Sequence, residues 1–219
     1  AGSFDYAYIG SGRIDVPCDG QFHSVALLRN SADVEVRYIV VPRIDTNVFR
    51  IAQLLNPLEA PLLAGPVDVY VDGEYILSAN IETVPPKAKM ELGLGVEQAI
   101  KVARNTAFSE ARSGETLVAF NELRHQIKID IANRMSRPAP IEVRERLPVP
   151  QDGEKVDVEV RQVSPEWEEY EQEERNAPIK GGYRWQVEVA AGETKTLSVD
   201  YTVKTFVDSE LIGGNRRED

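Results

Sequence analysis

Apolar and polar residues alternate along much of this chain, and a period of two is that of a half-buried strand, not of a helix. Val34, Val36, Tyr38 and Val40 show it, and Ile127, Ile129 and Ile131 repeat it around Lys128 and Asp130. Val156, Val158 and Val160 do the same, as do Trp185, Val187 and Val189. Between these runs stand Cys18-Asp19-Gly20, Asp72-Gly73, Asp152-Gly153 and Gly181-Gly182, whose glycines permit the positive φ that tight hairpins require. Thirteen prolines and fifteen glycines leave few windows in which a helix runs for three turns. The pattern predicts an all-β chain with little helix.

A length of 219 residues suits two ordinary domains, each able to bury a core without metal or disulfide. The stretch from Arg104 to Thr116 is small and polar with strands crowding both sides, so it marks the expected boundary. The reading is an N-terminal β module over 4–104, a linker or short helix over 105–115, and a C-terminal β-sandwich module over 116–206. A tail, 207–219, follows. Both modules are expected to be antiparallel and sandwich-like, the second resembling an immunoglobulin or fibronectin domain because its short strands recur every 8 to 12 residues or so. Its faces are expected to bury Ile127, Ile129, Val143, Val158, Trp185, Val187, Leu197 and Tyr201. An acidic insertion over 164–182 breaks the strand rhythm, and the helical spacing of Val163, Trp167 and Tyr170 suggests one helical turn pinned by its aromatics.

A net charge of −11 repels phosphate backbones and anionic lipids, and no concentrated basic patch offsets it. Arg144 with Arg146, and Arg216 with Arg217, sit beside glutamates and read as solvated surface. Nucleic acid is therefore not an expected partner. No apolar run reaches the roughly 18 residues that cross a bilayer, so no membrane insertion by this region is expected. Ala1-Gly2-Ser3 reads as a cloning remnant ahead of Phe4, which leaves any targeting segment unread. Cys18, the single cysteine, excludes an internal disulfide and a thiolate zinc site.

Two histidines, His23 and His125, lie in strand-like segments without a metal-binding motif or a nucleophile elbow nearby. Gly93-Leu94-Gly95 begins like a dinucleotide fingerprint, but Gln98 stands where the third glycine belongs. No catalytic residue, cofactor or metal ligand is assigned. Calcium at the acidic loop, or at Asp68 and Asp72, lacks the spacing of a calcium-binding loop. The candidate site is instead an interaction surface on the acidic loop: Trp167 and Tyr170 with Glu166, Glu169 and Glu173. Tyr70 and Tyr75 straddle the Asp72-Gly73 turn and are expected to form a cross-strand pair.

Several of these segments together resemble the C-terminal region of the mucoidy inhibitor A family, a domain of unknown function. The resemblance runs through Ile14-Asp15-Val16-Pro17-Cys18-Asp19-Gly20 with His23, Asn56-Pro57, Pro61-Leu62-Leu63-Ala64-Gly65-Pro66 and Val69-Tyr70-Val71-Asp72-Gly73. It continues through Leu92-Gly93-Leu94-Gly95-Val96, Asn133, Glu145-Arg146-Leu147-Pro148-Val149, Trp185 and Ala191-Gly192-Glu193. It implies the C-terminal part of a longer bacterial protein with a coiled coil ahead of it, and it carries over no activity and no binding residue. The expected role is a non-catalytic interaction or scaffolding module with a protein partner or self-association, in the cell envelope or periplasm rather than the cytoplasm. A carbohydrate-binding module taking polysaccharide is the alternative, followed by a hydrolase using the glutamate-rich loop.

Overall fold

The computed structural model describes residues 6–10, 12–115, 118–150, 156–171 and 180–206, excepting the side chains of 113–115, 118, 119 and 206. Among the described residues there is no helix. The strands are β1 (Val34–Val41), β2 (Asp45–Leu55), β3 (Gly65–Val71), β4 (Glu74–Ile81), β5 (Lys89–Val96) and β6 (Ile100–Glu115). They continue with β7 (Val118–Asn133), β8 (Ala139–Arg146), β9 (Val156–Ser164), β10 (Glu168–Glu169), β11 (Gly182–Val189) and β12 (Thr194–Phe206). One sheet runs β10-β11-β8-β1-β2-β5, a second β6-β7-β12-β9, and β3 with β4 makes a two-stranded ribbon. β1 beside β8 is parallel, whereas β10–β11, β11–β8, β7–β12, β12–β9, β3–β4 and β6–β7 are antiparallel.

Residues 105–115 are neither linker nor helix: they are the outer part of β6, paired with β7 all the way to Glu115↔Val118. Their small polar composition belongs to an edge strand exposed on both faces, where alternation fades because neither face is buried. Compact grouping accordingly does not follow a single cut. One unit comprises 1–36 and 51–95, the other 37–50 and 96–219.

The core of the second unit lies between its two sheets. Ile127, Ile129, Ile131, Leu197, Val199 and Tyr201 face it from one side, and Tyr38, Val40, Ile141, Val143, Trp185 and Val189 from the other, all nearly or wholly buried. Of the eight residues expected inside, Val158 alone is only half-buried, because β9 is an edge strand. A buried ion pair joins the sheets: Arg104 of β6 donates from Nε to Glu145 of β8 at 2.9 Å. Gly181 closes one end with φ +69, so close to residues 147–149 that an added Cβ would press into Val149 Cγ2 and lie 2.8 Å from the Leu147 carbonyl oxygen. Gly181→Ala therefore meets both a left-handed backbone and a backbone oxygen, and is expected to destabilise by about 2–4 kcal/mol in denaturant titration.

The chain repeats one arrangement twice along its sequence. In the first, β2 ends at the wholly buried Asn56, whose Nδ2 donates to the carbonyls of Ala60, Val84 and Pro85 at 3.1, 3.1 and 3.0 Å. Its Oδ1 accepts the Leu58 amide, and its own amide donates to Ala88 O. In the second, β7 ends at the buried Asn133, whose Nδ2 donates to Arg137, Val189 and Ala190 carbonyls at 2.9, 2.9 and 3.2 Å. Its Oδ1 accepts the Met135 amide, and its own amide donates to Glu193 O. The turns clamped in this way match as well: Ala88 N bonds Pro85 O and Glu193 N bonds Ala190 O, both at 3.2 Å, with Lys87 and Gly192 at φ 59 and 76. The ribbons that follow each asparagine share a register, Leu62 facing Val84 and Gly65 facing Ile81 as Ala139 faces Val189 and Glu142 faces Gln186. Each repeat along the sequence is thus a hairpin, an asparagine clamp, an antiparallel ribbon and a closing strand.

Candidate functional site

The acidic segment turns along the edge of the second unit in extended form. Glu168 and Glu169 pair with Arg184 and Tyr183 of β11, replacing the expected helical turn. A strand puts successive side chains on opposite faces. Trp167 consequently stacks on Tyr183 at 4.2 Å and 14° and leans on Trp185 at 4.9 Å, while Tyr170 lies under the guanidinium groups of Arg144 and Arg184 at 4.5 and 4.9 Å. Trp185 Nε1 donates to Pro165 O at 2.9 Å and ties the segment's start to the core. Trp167 and Tyr170 are therefore half-buried, with Glu166 and Glu169 exposed, and Glu173 lies outside the described residues.

Beneath Tyr170 is a charge cluster that alternation alone conceals. Glu142 on β8 is buried, yet its carboxylate takes Arg37 at 2.8 Å and Arg144 at 2.7 Å, with Arg184 at 3.8 Å. Arg184 also holds Glu168 at 2.7 Å, and Gln186 donates to the same oxygen at 2.8 Å. Arg144 is thus not plain solvated surface: the sequence neighbour that neutralises it, Glu142, is two residues away on the same strand face. Burial of a carboxylate among guanidinium groups satisfies its charge and fixes the face of the strand; it leaves Glu168 paired instead of available as an acid or base.

Other singled-out groups scatter. His23 sits on the surface 2.8 Å from Asp19, whose carboxyl is held below its ordinary range by the Gln21 amide and by His23. Asp45 is lowered likewise by the Asn47 amide and side chain. His125 is buried, stacked on Tyr201 at 4.7 Å and tilted against Phe108 at 5.3 Å. Asp68 accepts the Ser78 hydroxyl at 2.6 Å, and Asp72 forms the turn with φ 52. Among the described residues no group of three or more His, Cys, Asp or Glu is placed to hold a metal ion. Tyr70 and Tyr75 do pair across the ribbon, edge to face at 5.7 Å.

The more unusual surface belongs to the first unit. Among the described residues its buried apolar side chains are Ala52 and Val69, whereas the second unit supplies the rest of the core. Exposed in the first unit are Ile9, Ile14, Val16, Phe22, Leu27, Leu28, Leu55, Leu63, Tyr70 and Tyr75, with Phe22 93% and Ile9 84% accessible. Covering one such side chain is worth roughly 1.5–3 kcal/mol, so a unit that leaves this many uncovered forgoes most of its own driving force. Residues 12–30 carry no strand of their own, although Ile14 with Val16 and Val25 with Leu27 have strand spacing. That spacing was the legible signal, and it predicts burial that is not seen among the described residues.

The family profile described as "Domain of unknown function (DUF4139)" matches residues 2–205. "Protein F37C4.5" of Caenorhabditis elegans is 21% identical over 178 residues, covering 78% of this chain and 32% of that protein. The chain spans about a third of the length of that relative. No solved structure matches it. A match over nearly the whole chain places it in its family: it belongs to DUF4139, a domain of unknown function.

Proposed function

We propose that this chain is a non-catalytic interaction module, the β region of a mucoidy-inhibitor-like protein of the bacterial cell envelope, and that its first unit is the surface a protein partner or another copy covers. The exposed apolar side chains of that unit carry the reading, since extensive uncovered apolar surface marks sites of association. The acidic edge is a second contact surface, in which Glu166 and Glu169 meet the partner while Trp167 and Tyr170 hold the backbone in place. Glu173, outside the described residues, is proposed as a further contact residue. A hydrolase on this loop draws no support from a Glu168 already committed to Arg184 and Gln186.

The test is crosslinking of the full-length protein in its native host, comparing wild type with Phe22→Ser and with Glu166→Lys/Glu169→Lys. Loss of captured partners with Phe22→Ser, at unchanged folding by circular dichroism, is the expected result. Identical capture by all three proteins would count against both surfaces. Polysaccharide is the second reading, favoured by the accessible ring of Tyr70, 60% exposed beside Tyr75. Unchanged tyrosine fluorescence across a panel of polysaccharides would remove it.

A further inference from the structure

The edge of β8 that faces away from β11 is filled by β1, in parallel, with Tyr38, Ile39 and Val40 opposite Ile141, Glu142 and Val143. By the shared register of the two ribbons, β3 is the counterpart of β8, and Ala64, Gly65 and Pro66 stand where Ile141, Glu142 and Val143 stand. The counterpart edge of β3 has no strand against it among the described residues. The strand that fills the site on β8 comes from the hairpin preceding an asparagine clamp, β1–β2. Its counterpart is β6–β7, whose strand β6 is the last of its sheet and is exposed from Asn105 to Arg112.

We propose that the open edge of β3 is a strand-docking site whose occupant is β6 of a second copy, added in parallel as β1 is added to β8, so that copies associate head to tail. This rests on the interaction reading above and names the partner. Donors are present on both edges. Leu62 and Val84 exchange both backbone bonds, so the amides of Leu63, Gly65, Val67 and Val69 point away from β4, and Pro66 lacks its N–H only on the β4 side. On β6 the amides of alternate residues point outward in the same way: Asn133 N bonds Glu193 O towards β12, which turns the even-numbered residues of β7 towards β6 and leaves Thr106 and Phe108 facing outward. Docking would cover Leu63 and Tyr70 beside β3 and Phe108 on β6, all of which are exposed. Because the two edges belong to different strands, each contact leaves a free β6 on one copy and a free β3 on the other, for reciprocal exchange or for a third copy.

Sedimentation velocity over a wide concentration range tests it on the 219-residue chain. Wild type is expected to grow with concentration above the mass of one copy. Val67→Pro removes a docking amide without touching the β3–β4 bonds, and Thr106→Pro does the same on β6; each is expected to be monomeric with an unchanged circular dichroism spectrum. An equimolar mixture of the two retains one intact edge of each kind and is expected to stop at a dimer. A wild-type chain that stays monomeric throughout, or either variant assembling like wild type, overturns the proposal. A monomeric chain that still loses crosslinked partners with Phe22→Ser would overturn self-docking and leave the interaction reading standing.

Discussion

Replacing Asn133 by alanine is expected to lower the stability of the second unit by about 3–5 kcal/mol, since each buried polar group left unpaired costs about 1–3 kcal/mol. The amide satisfies three carbonyls, those of Arg137, Val189 and Ala190, and accepts the Met135 amide, all from a residue that is 1% exposed. No alanine rotamer or small rearrangement can supply two donors at that point, and a water would need the space of the deleted carboxamide. Asn133→Asp separates the donor role from shape: a carboxylate keeps the bond to Met135 N but faces three carbonyl oxygens with no hydrogen to give, so it should be no better than alanine. Urea denaturation followed by tryptophan fluorescence reads this directly, because Trp167 and Trp185 both belong to the second unit. A loss below about 1 kcal/mol would show that the clamp is dispensable. Asn56→Ala makes the same deletion in the first unit, where hydrogen exchange at the amides of 51–95 is the suitable readout.

The second large effect concerns Arg104 and Glu145. Glu145 is wholly buried and Arg104 nearly so, and the pair bridges the facing sheets at 2.9 Å. Glu145→Ala removes the buried carboxylate that faces the Arg104 guanidinium and is expected to cost about 3–5 kcal/mol, the usual penalty for breaking one side of a buried pair. Arg104→Met combined with Glu145→Leu removes both charges at similar volume, and should recover most of that loss, because the desolvation cost disappears together with the attraction. If the double variant is as unstable as Glu145→Ala, the pair is needed for something other than charge balance, such as the bond from Arg146 N to Glu145 Oε1. Thermal melts of the three variants at one pH decide between these.

Alternation of apolar and polar residues by itself determined the all-β class, the hairpin at Asp72-Gly73 and most of the second unit's core, because one-sided burial imprints a period of two on each strand. It was silent on β6 beyond Arg104, where both faces are wet, and on the acidic segment, where helical spacing and a twisted edge strand place the same aromatics on the protein. Val163, Trp167 and Tyr170 were legible as anchors, but the rings they meet, Tyr183 and Trp185, and the cations over Tyr170 come from other strands.

Asn56 and Asn133 show the division most sharply. Each was legible as part of the family resemblance; two of the three carbonyls that each holds lie 28 and 29 residues away for Asn56, and 56 and 57 for Asn133. The parallel pairing of Tyr38 with Ile141, likewise, leaves no local trace. Local pattern records which face of a strand is dry, since that depends on neighbours two residues along. Which strand lies beside which, and so which edge stays open, is set by contacts between distant segments, and only the tertiary structure decided it.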